Sequence, residues 1–174
     1  MKNIELDAMD IQLLEQLQHD ASLSNQDLAL AVHTSAPTCL RRIKRLRDAG
    51  LIERQVAILN PEKLAQALGH GLTAIVEIML DRQGAEELER FEARACADAA
   101  VQQCYRVSPG PDFVVVLHAA HMPAYLALAQ RLFTSDANVR NVKAFFSIKR
   151  SKFSAELPLQ ATTSRSASMP PKPC

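Results

Sequence analysis

The chain has 174 residues, a net charge of +1 and 48% apolar residues, enough for one medium-sized or two small hydrophobic cores. This composition excludes wholesale disorder, and no apolar run is long enough to span a bilayer. The N-terminus lacks a basic-then-apolar leader, so we expect a cytoplasmic protein that does not enter membranes.

Motifs for catalysis or metal binding are missing from the sequence. The cysteines are widely spaced without a C-x-x-C pair, which is typical of reduced thiols in a cytosolic protein: Cys39, Cys96, Cys104 and Cys174. His118 and His121 form an H-x-x-H that runs from a strand end into a loop, and unrelated histidines explain it best. Without a glycine-rich phosphate loop, G-x-S-x-G or H-E-x-x-H, the sequence predicts no metal, no cofactor and no enzyme.

The first sixty residues show helical periodicity three times. Asp7 and Ser24 are suited to cap the first two helices, and the third is expected to start at Ser35 and to end at Gly50. Residues 51–59 then read as a strand or wing. We therefore predict a winged helix-turn-helix domain over residues 1–59, followed by a linker over residues 60–71.

From residue 72 the apolar period changes to two, and the predicted order becomes strand, helix, strand, strand, helix, strand. This order is typical of a ferredoxin-like βαββαβ domain, here over residues 72–153, with both helices on one face of the sheet. The fold class is therefore α+β. The second sheet face is left uncovered, which predicts at least a dimer. Residues 154–174 are rich in Ser and Pro and are expected to form a flexible tail.

The third helix contains the stretch TCLRRIKRLR, residues 38–47, in which five of the last seven residues are Arg or Lys and none is acidic. Exposed helix faces usually mix both signs, so this cluster favours an anionic partner over a merely solvated surface. The second helix of a helix-turn-helix enters the major groove, which makes double-stranded DNA the predicted partner. We expect base contacts from Thr38, Arg41 and Arg45. Phosphate contacts are expected from Ser35, Arg42, Lys44 and Arg54.

The sequence resembles the Lrp/AsnC family of feast/famine transcription regulators over about residues 4–159. The stretches that carry the resemblance include LDAMDIQLLEQLQHDASLSNQDLALAV, VQQCYRVSPGPDF and VRNVKAFFSIKRSKFSAELPL. It implies homodimers that assemble into larger, often octameric, rings and an amino acid or similar metabolite bound between subunits. The implied effector-site positions are Ser108, Pro109, Gly110, Asp112, Met122, Phe145 and Phe146.

The candidate effector loop departs from the family pattern. Where the family usually has S-G-x-x-D, this chain has SPGPD, so Pro109 and Pro111 remove two backbone N–H groups that could hold a carboxylate. Asp112 is retained and could bind an ammonium group. Two interpretations follow: an altered effector or none, or merely another tight hairpin loop.

Two other classes of function are weighed against a regulator. Some proteins that resemble this family are sirohaem decarboxylases, and the only local candidates for such chemistry are Arg106, His118 and His121. An assembly or metabolite-sensing module without DNA binding is the third class. The acid-free basic helix favours the regulator over both.

Overall fold

The computed structural model describes residues 4–69 and 71–159. The chain forms two compact units. The first contains the described residues up to Ala57 together with the segment from Phe153 onward, and the second runs from Ile58 to Lys152. Of the helices in the described ranges, none combines the length and apolar character needed to cross a membrane.

The first unit is built on three helices: α1 (Ala8–His19), α2 (Asn25–Ala31) and α3 (Ala36–Asp48). The two predicted caps of α1 and α2 are present as capping boxes, in which the side chain of Asp7 or Ser24 accepts from a backbone N–H three residues on. The helices bury a shared apolar core that includes Leu13, Leu28 and Cys39. This core fixes α3 against α1 and α2.

Residues 51–59 do not form the predicted strand. The segment has no β pairing, and every residue from Glu53 to Leu59 is exposed. The physical reason is that the described residues of this unit contain no other strand to pair with, and a β-strand is stabilised by hydrogen bonds to a neighbouring strand. The first unit is therefore a helix-turn-helix whose predicted wing is an irregular segment.

The chain beyond residue 153 returns to the first unit. Gln18 and Leu157 exchange two hydrogen bonds, in which the Gln18 amide donates to the Leu157 carbonyl (2.8 Å) and accepts its N–H (2.9 Å). His19 Nδ1 lies 3.6 Å from a carboxylate oxygen of Glu156. Residues 154–159, which the sequence assigns to a flexible tail, thus contact α1; the rest of that predicted tail lies outside the described residues.

The second unit has the predicted ferredoxin-like order. Its elements are α4 (Pro61–Leu68), β1 (Leu72–Leu80), α5 (Ala85–Cys96), β2 (Val101–Arg106), β3 (Phe113–Ala119), α6 (Met122–Ala129) with a following π-helical turn (Gln130–Thr134), and β4 (Val139–Phe146). The strands pair antiparallel in the order β2-β3-β1-β4. Helix α4 occupies most of the predicted linker and ends at Gly69, whose φ of 73° is a left-handed conformation that glycine adopts without strain.

The two faces of the sheet differ in burial. Alternate residues of β1 and β3, such as Val76 and Val115, are fully buried in a core shared with α5 and α6. On the other face Ile75 and Phe145 remain 41% and 42% exposed, and no described helix covers them. The expected alternation is therefore confirmed, with one covered and one uncovered face.

Candidate nucleic-acid interface and effector loop

The N-terminus of α3 presents polar groups to the solvent. Ser35 caps the helix, and its hydroxyl lies 2.9 Å from the hydroxyl of Thr38. Both side chains are at the end of the helix where backbone N–H groups lack internal partners and where the helix dipole is positive. This end can therefore accept an anion or approach a base edge.

Two arginines of α3 are directed at α1 instead. One nitrogen of Arg42 lies 2.7 Å from Asp7 Oδ2 and 2.8 Å from Asp10 Oδ1, and Arg45 bonds the second oxygen of Asp10. Asp10 is fully buried, and the side chain of Arg42 is 22% exposed. Arg42, which the helical pattern places on the outward face, is therefore part of the contact between α1 and α3.

The electrostatics of this cluster follow from its hydrogen bonds. The pKa of Asp7 is lowered by the backbone N–H of Asp10 and by the Arg42 guanidinium. Hydrogen bonds to Asp7 and Asp10 raise the pKa of Arg42. The charges of Arg42 and Arg45 are thus compensated within the fold, and we refer to these two residues as the inward pair.

Other cations of α3 remain exposed. Arg41 and Lys44 are exposed and make no ion pair with any residue in the described ranges. Together with Thr38 they recur every three residues, which places all three on one strip of the helix. We call Thr38, Arg41 and Lys44 the outer strip. Arg54 lies in the segment after α3, and its side chain is 75% exposed. Its Nε is 3.8 Å from a carboxylate oxygen of the neighbouring Glu53.

The SPGPD loop is fastened to the end of β1. Asp112 Oδ2 accepts the Leu80 N–H at 2.7 Å, and the Asp112 N–H donates to the Ile78 carbonyl at 2.9 Å. Gly110 has a φ of 125°, a conformation that other residues adopt only with strain. One oxygen of Asp112 is thus committed to the fold, so an effector ammonium would have to bind the other.

The remaining predicted effector residues lie at the opposite end of the sheet. Phe146 pairs with Ala74, whereas the loop contacts Leu80, six residues along β1 and therefore about 20 Å away. Met122 begins α6, which follows the end of β3 that pairs with Leu72. One chain therefore does not bring the loop and these residues into one site.

The two phenylalanines also point to different faces, because successive residues of a strand alternate. Phe146 packs edge-on against Tyr125 of α6, with 5.0 Å between ring centroids. Phe145 lies on the uncovered face, with the Lys143 ammonium 4.8 Å from its ring centroid. A single pocket within one chain can use only one of them.

Comparison with known proteins decides the family. A family model described as the AsnC-type helix-turn-helix domain matches residues 6–47, and one described as the Lrp/AsnC ligand binding domain matches residues 73–157. The leucine-responsive regulatory protein of Rhizobium meliloti is 34% identical, over 86% of this chain and 93% of its own length. The chain belongs to the Lrp/AsnC family of transcriptional regulators.

Further Lrp/AsnC proteins agree in sequence and in structure. The DNA-binding transcriptional activator DecR of Escherichia coli K12 is 34% identical over 89% of this chain and 99% of its own. The crystal structure of an AsnC family regulator from Agrobacterium tumefaciens has a TM-score of 0.78 and 31% identity, covering 88% of this chain and 97% of that one. A Neisseria meningitidis regulator in complex with L-methionine has a TM-score of 0.78 and 29% identity, covering 89% and 97%.

These matches confirm the predicted family and fold class. They also confirm the prediction of a transcriptional regulator, with a DNA-binding helix-turn-helix domain and a ligand-binding domain. The names of the Lrp/AsnC relatives denote regulators and not enzymes.

The three residues considered for decarboxylase chemistry do not converge in this Lrp/AsnC chain. Arg106 pairs with Glu92 at 2.6 Å and lies beside Phe113, on the helix-covered face at the start of β3. His118 is near the other end of β3 on the opposite face, where its Nδ1 is 3.3 Å from the Thr73 hydroxyl. His121 caps α6 by accepting a backbone N–H. No observation favours the enzyme.

Asp10 is the important residue that sequence reasoning undervalued. Its capping-box contact with Asp7 spans only three residues, whereas its pairing with Arg42 and Arg45 spans 32 and 35. The sequence does contain an indication of this pairing, because it has two acids at the start of α1 and an excess of cations in α3. The pairing itself depends on how α1 and α3 pack.

Proposed function

We propose that this Lrp/AsnC regulator reads double-stranded DNA through the outer strip of α3. Thr38 and Arg41 are assigned to base edges, and Lys44, Ser35 and Arg54 to phosphates. The observation that carries the assignment is the set of exposed, uncompensated cations on the second helix of a helix-turn-helix. Arginine and lysine in the major groove bond guanine O6 and N7, and cations near the backbone release counterions.

The inward pair receives a different role from the one that the sequence suggested. Arg42 and Arg45 are assigned to holding α3 in position, because their guanidinium groups are already bonded to Asp7 and Asp10. A phosphate contact by Arg42 would require breaking these bonds around a buried carboxylate, which is costly. They act on DNA binding through the orientation of the helix.

The protein is proposed to act as a homodimer that assembles into an octameric or similar ring. Support comes from the uncovered sheet face, where large apolar side chains such as Ile75, Tyr105 and Phe145 are 41–53% exposed. A monomer rarely leaves such a surface in water. The separation of the loop from Met122 and Phe146 by about 20 Å also favours an effector site completed by a second subunit.

The effector is proposed to be an amino acid or related small metabolite, bound at the SPGPD loop. The similar Neisseria regulator in complex with L-methionine supports this class of ligand. Pro109 and Pro111 lack backbone N–H groups, and the N–H of Asp112 donates to the Ile78 carbonyl. The loop N–H groups that could donate to an effector carboxylate are therefore those of Ser108 and Gly110. We therefore expect the affinity for an effector to depend weakly on the carboxylate of the effector and more strongly on its ammonium group and side chain.

The loop assignment is tested by Pro109→Gly, which restores the usual family sequence. Titration with a panel of amino acids should show a changed effector profile, while the mass by light scattering should remain that of wild type. An identical profile before and after the change would remove Pro109 from the effector site.

As a regulator of transcription, the protein is proposed to work in the cytoplasm without catalytic activity. The test of the function is fluorescence anisotropy with the DNA upstream of its own gene and with a scrambled duplex, at low and moderate salt. Tighter, salt-dependent binding to the upstream DNA is the expected result. Equal, weak binding to both duplexes, with or without amino acids, would contradict the proposal.

A further inference from the structure

Two thiols meet between α5 and β2. Cys96 is at the C-terminal end of α5, Cys104 lies on β2, and the Cys96 side chain is near enough to contribute to the raised pKa of Cys104. Cys96 is exposed, whereas Cys104 is half-buried and packs against the apolar core of the second unit. One thiol of the pair is therefore accessible and the other is held in place beside it.

The packing of α5 on β2 independently fixes this arrangement. Glu92 and Cys96 are four residues apart and share one face of α5, while Cys104 and Arg106 are two apart and share one face of β2. A carboxylate oxygen of Glu92 lies 2.6 Å from the Arg106 guanidinium. Because Cys96 lies one helical turn beyond Glu92 and Cys104 two residues before Arg106, the packing that joins this ion pair sets Cys96 opposite Cys104.

We propose that Cys96 and Cys104 are an oxidisable pair that forms a reversible disulfide between α5 and β2 on exposure to a peroxide. Hydrogen peroxide oxidises the Cys96 thiol to a sulfenic acid and is reduced to water. The Cys104 sulfur then attacks the Cys96 sulfur, and the hydroxyl leaves with the Cys104 proton as a second water. A dithiol reductant reverses the bond.

The surroundings assign the order of the two steps. Burial, together with the neighbouring Cys96 and Glu92, raises the pKa of Cys104 to about 11, so Cys104 remains a thiol at neutral pH. Exposed Cys96 is accordingly the thiol that meets the peroxide, and Cys104 resolves the sulfenic acid. Cys39 differs, because it is fully buried in the other unit and burial raises its pKa.

The disulfide would restrain a strand at the edge of the sheet. β2 pairs with β3 alone among the described strands and leads directly into the SPGPD loop. Edge strands open more readily than central ones. Tying β2 to α5 should therefore slow the opening of the strand and of the Val107 N–H bond to the Asp112 carbonyl, which measures 3.1 Å.

The test needs no variant for its main result. Trypsin cleaves after Arg94 and Arg106 and finds no site between them, so both cysteines fall in the single peptide 95–106. After brief treatment of the full-length protein with hydrogen peroxide and alkylation in denaturant, this peptide should be about 2 Da lighter than the reduced form and carry no alkyl group. Dithiothreitol should restore both alkylation sites.

Two results would overturn the proposal. One is a peptide 95–106 that remains fully alkylated or stops at a sulfinic acid, and the other is its recovery linked to a different cysteine peptide. In Cys39→Ser and Cys174→Ser the light peptide should persist, whereas Cys104→Ser should give a sulfenic or sulfinic Cys96 instead. Hydrogen exchange at Val107 should slow at least threefold on oxidation, and unchanged exchange would contradict the restraint on β2.

Discussion

Helix α3 carries cations on two faces, and the two groups differ in what they contact. Arg42 and Arg45 bond a buried carboxylate of α1, whereas Arg41 and Lys44 are exposed and make no ion pair within the described ranges. All four side chains are cationic, and their positions on the helix are adjacent. The comparison teaches that the charge of a helix does not by itself measure its capacity to bind DNA, because part of that charge can be used to hold the helix in place.

The largest effect should come from removing the charge at the centre of the inward pair. Asp10→Asn keeps the size and the capping oxygen but leaves Arg42 and Arg45 without the buried carboxylate. We expect the free energy of unfolding of the first unit to fall by about 2–3 kcal/mol, less than for a wholly buried pair because both arginines are partly exposed. Urea denaturation followed by helical circular dichroism measures this, with exposed Glu53→Gln as the control. Equal stability of the two variants would show that the inward pair does not hold α3.

The next effect concerns Arg41 of the outer strip. Arg41→Ala should weaken binding to the upstream DNA by about 1–3 kcal/mol and reduce the preference over scrambled DNA, because the variant cannot make a two-pronged bond to a base. Its urea midpoint should remain that of wild type. Lys63→Ala removes an exposed cation from α4 and serves as the control. Unchanged affinity and preference in Arg41→Ala would end the assignment to bases.

A smaller and different effect is expected at Lys44. Lys44→Ala should weaken binding to upstream and scrambled DNA alike, since a bond to a phosphate carries no sequence information. The slope of log affinity against log salt should become shallower by about one for each subunit bound to the DNA, because each subunit then neutralises one phosphate fewer. Anisotropy at four salt concentrations measures the slope. A reduced sequence preference with an unchanged slope would transfer Lys44 from the phosphates to the bases.

The smallest effect is the pH dependence of the inward cluster. Because folding lowers the pKa of Asp7 below its ordinary value of 3.8, the carboxylate stabilises the fold above that pH and loses this effect as the pH falls through the lowered pKa. Wild type should therefore lose stability below pH 3.8 more steeply than Asp7→Asn. Urea midpoints between pH 2 and pH 6 compare the two proteins. Parallel curves would exclude a contribution from Asp7.

Features fixed by local contacts could be predicted from the sequence. The caps at Asp7, Ser24 and Ser35 depend on bonds across three residues, and the buried alternation of β1 depends on a two-residue period. Both features depend only on residues that are close together in the sequence. The fold class followed from the order of such elements.

Features that depend on tertiary packing could not be predicted in the same way. The pairing of Arg42 with Asp10 joins residues 32 apart, and the distance between the effector loop and Phe146 depends on the direction of β1. The wing over residues 51–59 was wrong because an extended pattern needs a partner strand. The opposite faces of Phe145 and Phe146 could have been inferred from strand alternation alone.

The most direct test compares Arg41→Ala with Arg42→Ala in binding to the upstream DNA, at a temperature where circular dichroism shows both variants fully folded. If the outer strip reads DNA and the inward pair positions α3, Arg41→Ala should raise the dissociation constant at least about fivefold, which corresponds to about 1 kcal/mol. Arg42→Ala should raise it less than about threefold while lowering the urea midpoint. An Arg42→Ala variant that retains wild-type stability and loses as much DNA affinity as Arg41→Ala would contradict the division of α3 into two faces.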